Sequence, residues 1–254
     1  MSISTPQHEL PRPVIRCLQQ DAAAVTRLAQ ERMPRERPGS AQHRYLDNLI
    51  HKPWGREYRV YDDALIDVWM LELEPGSSTS MHCHPRKDTF LLCVSGYGET
   101  LTGSGRRIAV GPGTVLHIQQ GATHCSHAVT GMTLVEIETP RDKFDLIRLE
   151  DDHGRRRTPY EGASHMDRLD PPLGRIANGP PQARVRPRCA NGLHRFAAEQ
   201  GREVLRDTRA IAFAISLDAL GVLRRDVEIG RRGDLGAIRP DHLYLTIRSM
   251  HQED

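Results

Sequence analysis

The stretch Gly76-Ser-Ser-Thr-Ser-Met-His82-Cys83-His84-Pro85-Arg86-Lys87-Asp88-Thr89-Phe-Leu-Leu-Cys-Val-Ser-Gly96 decides how this chain folds and where its chemistry lies. Bounded by glycines and alternating in character, it reads as strands joined by a turn. In a strand, successive side chains point to opposite faces, so His82 and His84 share one face and Cys83 points away from it. Two imidazoles at i, i+2 form the strand version of a chelate. A third ligand stands in Gly113-Thr-Val-Leu-His117-Ile-Gln119-Gln-Gly121-Ala-Thr-His124-Cys125-Ser-His127-Ala128, which is punctuated in the same way. Three imidazoles brought to one point, His82, His84 and His124, can hold a divalent transition metal and leave positions open for water or substrate.

Outward from these motifs the texture stays the same. Short apolar runs at Leu65–Leu73, Phe90–Val94, Arg107–Val110, Val115–Ile118 and Thr133–Ile137 are separated by Gly and Pro, which predicts an antiparallel barrel or sandwich. Ahead of them, residues 1–17 carry Pro6, Pro11 and Pro13 and read as a loose arm. A short amphipathic helix is expected over Gln19–Met33, stopped by Pro34 and followed by a polar linker at Arg35–Ser40. The expected layout is an N-terminal arm and helix over 1–47 and a metal-binding barrel over 48–150. A linker or wrapping segment over 151–188 and a β-rich C-terminal unit over 189–254 follow. Within the last unit, Arg209–Leu217, Val222–Ile229 and His242–Ile247 look like strands without a His-x-His pair. That pattern is compatible with a degenerate second barrel in a structural or dimerising role.

The two motif stretches resemble the paired motifs of the cupins. The first of these runs glycine, five residues, His-x-His, then a glutamate and a second glycine. The other runs glycine, five residues, Pro-x-Gly, two residues, His. The spacings fit from Gly76 to His82 and from Gly113 through Gly121 to His124. Two positions depart: Thr89 stands where the family carries glutamate, and Gln119 where it carries proline. A longer likeness covers about residues 50–160. Lys52-Pro53-Trp54-Gly55 opens it, and Asp145-Leu-Ile-Arg148-Leu-Glu-Asp151-Asp-His-Gly154-Arg155 closes it. This layout is similar to the cupin domain of type II mannose-6-phosphate isomerases, although His82 stands where those enzymes carry glutamine. The resemblance implies a mainly β protein with a jelly-roll barrel, one bound divalent ion (zinc, manganese, nickel or iron) and a small polar ligand such as a sugar phosphate.

The expected function is a metal-dependent cupin enzyme acting on a small polar substrate in the manner of a sugar-phosphate isomerase. His82, His84 and His124 are the expected metal ligands. Asp88, one residue short of the glutamate position, is the candidate acid/base or fourth ligand if a bulge turns it inward. Arg86 and Lys87 are the candidates for an anionic group on the substrate, the alternative being solvated loop charge. Thr89 in place of glutamate also favours a second reading, an iron(II) oxygenase with three histidines. A third is a noncatalytic sugar-binding or regulatory module. His117 and His127 are expected as pocket residues at most.

Composition narrows the classes further. A formal charge of +2 and 5% aromatic residues give no footing for nucleic acid, either as a basic surface or as a stacking platform. The cationic residues are nearly all arginine, with lysine only at positions 52, 87 and 143. The five cysteines (17, 83, 93, 125 and 189) form no Cys-x-x-Cys pair, and no apolar run is long enough to cross a membrane. These features lead to the expectation of a reduced, cytoplasmic protein with no membrane partner, working as a homodimer on a small molecule.

Overall fold

A computed structural model of the chain describes residues 13–30, 45–150, 163–170, 172–177, 179–186, 194–209, 211–217, 228–235 and 238–250. The linker at Arg35–Ser40, the Arg155–Arg157 run, Cys189 and most of Val222–Ile229 lie outside them.

The chain begins with a short strand β1 (Val14–Ile15) and helix α1 (Gln19–Gln30). Then come β2 (Asn48–Lys52), β3 (Gly55–Asp62), β4 (Asp67–Leu73), β5 (Met81–Cys83), β6 (Asp88–Ser95) and β7 (Gly98–Thr102). The central region continues with β8 (Arg107–Val110), β9 (Val115–Ile118), β10 (His124–Ala128), β11 (Met132–Thr139) and β12 (Ile147–Glu150). The remainder holds β13 (Met166–Arg168), β14 (Gly174–Arg175), β15 (Arg184–Val185) and β16 (His194–Gln200), then helix α2 (Gly201–Arg206), β17 (Ile211–Ser216), β18 (Ile229–Arg231) and β19 (Leu243–Ser249).

These strands form three sheets among the described residues. The largest runs β1-β9-β6-β11-β4-β3-β15-β14, with β2 and β13 extending it from β3. A smaller sheet, β12-β5-β10-β7-β8, faces it. The third is β16-β19-β17-β18. The protein is mainly β, and the two facing sheets form the jelly-roll layering of a cupin.

Alternation along the long strands sorts side chains between two cores. Trp69, Leu71 and Leu73 of β4, Leu91 and Cys93 of β6, and Met132 and Leu134 of β11 fill the space between the two facing sheets. Their sequence neighbours Val68, Met70, Phe90, Leu92, Val135 and Ile137 point the other way, where they meet Phe196, Phe213, Ile215, Leu245 and Ile247 of the third sheet. A sheet covered on both faces reads as continuous apolar sequence rather than as strict alternation, and β4 does so in Val-Trp-Met-Leu. The C-terminal strands therefore cover the outside of the barrel.

Two expectations are corrected here. The N-terminal arm is not loose from residue 13 onward. Val14 and Ile15 pair in parallel with His117 and Ile118, and Ile15 is buried. In the C-terminal region β16 and α2 were not foreseen, because two charged residues interrupt the apolar pattern of β16: Arg195, which is exposed, and Glu199, which is half-buried on Arg248.

Candidate metal centre

Neighbouring strands of the smaller sheet carry the histidines. His124 of β10 lies directly opposite His82 of β5, which brings their rings to 4.3 Å between centroids. His84, just past the end of β5, sits 4.9 Å from His82 and 5.6 Å from His124 by the same measure. One ligand atom from each of the three lies within 4.8 Å of the others.

Their hydrogen bonds fix which atom that is. The Nδ1 of His82 is 2.7 Å from the Ser80 carbonyl, that of His84 is 2.7 Å from the Asp145 carbonyl, and that of His124 is 3.1 Å from the Ala122 carbonyl. A carbonyl can only accept, so each Nδ1 carries the proton and each Nε2 keeps its lone pair. The Nε2 of His84 is buried with no hydrogen-bond partner among the described residues. Burial, first of all, holds all three imidazoles below their usual pKa, and their mutual proximity adds to this for His82 and His84. Neutral rings with lone pairs aimed together are what a transition metal requires, so the donor set fits such an ion.

The turns that hold the triad are tied to it. Gly121 has φ +74°, which the missing proline at Gln119 does not disturb, and its N–H donates to the His84 carbonyl at 2.8 Å. Thr123, next to His124, donates its hydroxyl to the buried Asp21 carboxylate of α1. Cys83 is fully buried on the face away from the triad, and burial pushes its thiol up to about 12.

The opposing sheet brings charge to the same interior. Glu136 and Glu138 share the inward face of β11 with Leu134, and both are buried. Atoms of His84, Glu136 and Glu138 form a second group within 4.8 Å of one another. Two of the chain's three lysines reach these carboxylates, and the third, Lys52, sits on the neighbouring Glu57. Lys87 donates to Glu138 at 2.5 Å and Lys143 to Glu136 at 2.7 Å. Lys143 also lies 3.8 Å from Glu57, which Lys52 approaches at 3.3 Å, and sits 4.3 Å over the Trp69 ring. Burial works to raise the Glu136 pKa, but Lys143 and Lys87 outweigh it and bring the group down to about 2. Burial wins at Glu138, which stays well above the usual carboxylate range despite Lys143 and Lys87. Lys87 therefore shares its contact with a carboxyl that resists ionising, while Lys143 and Glu136 form a true ion pair.

The residues expected at this site fall in different places. His82, His84 and His124 come together. Asp88 is buried but points to the turn, where its carboxylate accepts the Gln120 N–H at 3.0 Å and lies 3.8 Å from His117. Lys87 is not a loop charge: its side chain is wholly buried on Glu138. Arg86 is exposed, with its guanidinium on Asp142 and Asp145. His117 stacks on Phe90, and His127 hydrogen-bonds Ser78, so neither joins the triad. The residues not foreseen are Glu136, Glu138, Lys143 and Arg148. Arg148, buried, lies directly opposite His82 in the β12–β5 ladder and so shares its face. The signal for the glutamates was present in Leu134-Val-Glu136-Ile-Glu138, where period two places both with Leu134.

The fold is that of a cupin barrel, and its interior groups three histidines that could hold a metal ion. Residues 69–138 match the family of cupin domains. No curated protein sequence matches the chain. Among solved structures it is similar to KdgF from Halomonas sp., at 18% identity and a TM-score of 0.36 over 38% of this chain and 89% of that one. It is also similar to a sugar phosphate isomerase of the cupin superfamily from Silicibacter pomeroyi, at 22% identity and a TM-score of 0.29 over 30% and 52%. A third is ectoine synthase from P. lautus, at 15% identity and a TM-score of 0.29 over 34% and 67%. These likenesses concern the fold. No helix among the described residues is long and apolar enough to cross a membrane.

Proposed function

We propose that this protein is a metal-dependent enzyme that moves a proton beside a carbonyl of a small anionic substrate, as a sugar-phosphate isomerase does. The observation that carries this reading is the meeting of two kinds of group in one interior: the neutral histidine triad on one sheet and the Glu136–Lys143 ion pair on the other. A divalent ion held by His82, His84 and His124 would polarise a substrate oxygen and so acidify the adjacent C–H. Glu136 is the base in this reading. Lys143 keeps it ionised at neutral pH, and it interacts electrostatically with both His82 and His124. Arg148, on the face of His82, is the cation placed to meet a phosphate or carboxylate. Asp88 acts at one remove, by holding the Gln120 amide in the turn that leads to His124. The likeness of residues 50–160 to type II mannose-6-phosphate isomerases points to the same substrate class.

The test uses solvent exchange, which needs no knowledge of the product. Protein loaded with zinc, manganese or nickel is incubated with aldose and ketose phosphates in D2O, and loss of the C–H signal next to the carbonyl is followed by proton NMR. Exchange that disappears with chelator and in Glu136→Gln supports the proposal. No exchange with any of the phosphates, together with oxygen uptake by the iron(II)-loaded protein, would replace it with the three-histidine oxygenase.

A further inference from the structure

Three buried polar atoms at one end of the interior lack any hydrogen-bond partner among the described residues: His84 Nε2, Glu138 Oε2 and Thr89 Oγ1. Leaving a buried polar atom unpaired costs about 1–3 kcal/mol, so three close together call for an explanation. Thr89 and Glu138 are direct partners in the β6–β11 ladder, which puts both side chains on the same inward face. His84 and Glu138 belong to one group of atoms within 4.8 Å, and His84 also belongs to the triad. Lys87 accounts for the other oxygen of Glu138 and leaves Oε2 uncommitted. Glu136, by contrast, has its Oε2 on Lys143.

We infer that Glu138 is the fourth protein ligand of the metal centre, supplied by β11 at the position paired with Thr89. The carboxylate that the sequence pattern leads one to seek at residue 89 is thus moved one strand sideways rather than lost. Cross-strand partners have Cβ atoms about 4.5–5.5 Å apart, a span the glutamate side chain covers and threonine does not. Lys87 acts as the positioning residue: by donating to Oε1 it turns Oε2 toward His84. The inference rests on the metal-centre reading above but not on the reaction assigned to it.

Cobalt(II) is the probe, because its absorption reports donor set as well as occupancy. Affinity is measured by competition with a chromophoric chelator, and circular dichroism confirms the fold of each variant. Glu138→Gln keeps an acceptor for Lys87 but offers an amide in place of the ligand oxygen. It is expected to bind cobalt at least about tenfold more weakly than wild type and to show altered cobalt bands. The exchange variant Thr89→Glu with Glu138→Thr returns a carboxylate from the other strand, and is expected to regain most of that affinity. A folded Glu138→Gln protein with wild-type affinity and spectrum overturns the inference. So does an exchange variant that folds and binds no better than Glu138→Gln. Wild type that binds cobalt while these variants fail the prediction leaves the proposed function standing. Wild type that binds no metal overturns both.

Discussion

The two faces of the large sheet are both buried, yet only the inner one gives up its apolar character, at the end where it meets the histidines. On the outer face, Val68, Met70, Phe90, Leu92, Val135 and Ile137 meet the C-terminal sheet as an apolar layer. On the inner face, beyond the apolar Leu91 and Leu134, the same strands carry Thr89, Glu136 and Glu138, the two glutamates being held by Lys143 and Lys87. The outer face gains stability from burial itself, which is non-directional and tolerant. The charged end of the inner face carries desolvated groups whose mutual attraction roughly offsets their loss of water, so that end adds little net stability and is sensitive to the loss of a partner. A chain keeps such an interior for what it does there.

Breaking the pairing should therefore give the largest effect. Lys143 serves Glu136 at 2.7 Å, Glu138 at 3.6 Å and Glu57 at 3.8 Å. Lys143→Ala strands these carboxylates, and is expected to lower unfolding free energy by about 3–5 kcal/mol in urea titration. The deficit should shrink as pH falls toward the carboxylate range, where the stranded groups take up protons. A loss below about 1 kcal/mol would mean the inner face is held by something other than these pairs.

Acid should separate the two facing sheets next. The triad histidines are depressed below 6.5 in the folded protein, so the unfolded chain binds their protons first. Their contribution is present above pH 6.5 and is lost as pH falls below it, by up to about 1.4 kcal/mol per histidine per pH unit. Glu136, brought down to about 2 from 4.5, acts with the same sign but only between those values. Glu138, raised in the fold, acts oppositely and costs stability as pH rises through 4.5. In metal-free protein the fall between pH 6.5 and 5 thus comes from the triad together with His194 of β16, whose pKa burial also lowers, and His84→Gln should flatten it by one histidine's share. A slope unchanged in His84→Gln would show that this ring is not held neutral.

These contrasts also mark what could be read from the chain alone. The triad was legible because spacing fixes it: His82 and His84 share a face by alternation, and Gly113 through Gly121 set the turn before His124. The strand texture likewise gave the barrel. The interior carboxylates were hidden because an alternating Leu-Val-Glu-Ile-Glu looks like a half-exposed strand with glutamates in water. Only the cover that β16–β19 lay over Val135 and Ile137 turns Glu136 and Glu138 inward. Lys87 was misplaced for a related reason. A cation beside Arg86 in a polar turn reads as solvated, and nothing local announces Glu138, 51 residues away. Asp88 was sought at the metal because of its nearness in sequence, whereas the ladder gives that position to its neighbour Thr89.

The apolar face should respond more mildly to a small change. Ile137, buried on the outer side of β11 between Glu136 and Glu138, loses one methyl group in Ile137→Val. The expected cost is about 0.5–1.5 kcal/mol by urea titration, with cobalt affinity unchanged because the strand keeps its register. A large drop in metal affinity from this substitution would show that the two faces are coupled through β11, and would undo the contrast drawn here.

The smallest effect isolates the role of burial. Arg107 and Glu99 pair across β7 and β8, and Lys87 and Glu138 pair in the interior, but Arg107 is 67% exposed whereas Lys87 is fully buried. At the surface, water and salt screen the attraction, and ordering two long side chains cancels part of the remainder. Arg107→Ala is expected to change stability by no more than about 0.5 kcal/mol, and that difference should fade as sodium chloride is raised toward 1 M. Lys87→Ala should cost several times more and respond little to salt, because no counterion reaches the barrel interior. Equal losses at the two sites, with equal salt dependence, would mean that water penetrates to Glu138. The inner face of the sheet would then be a wet surface rather than a desolvated one.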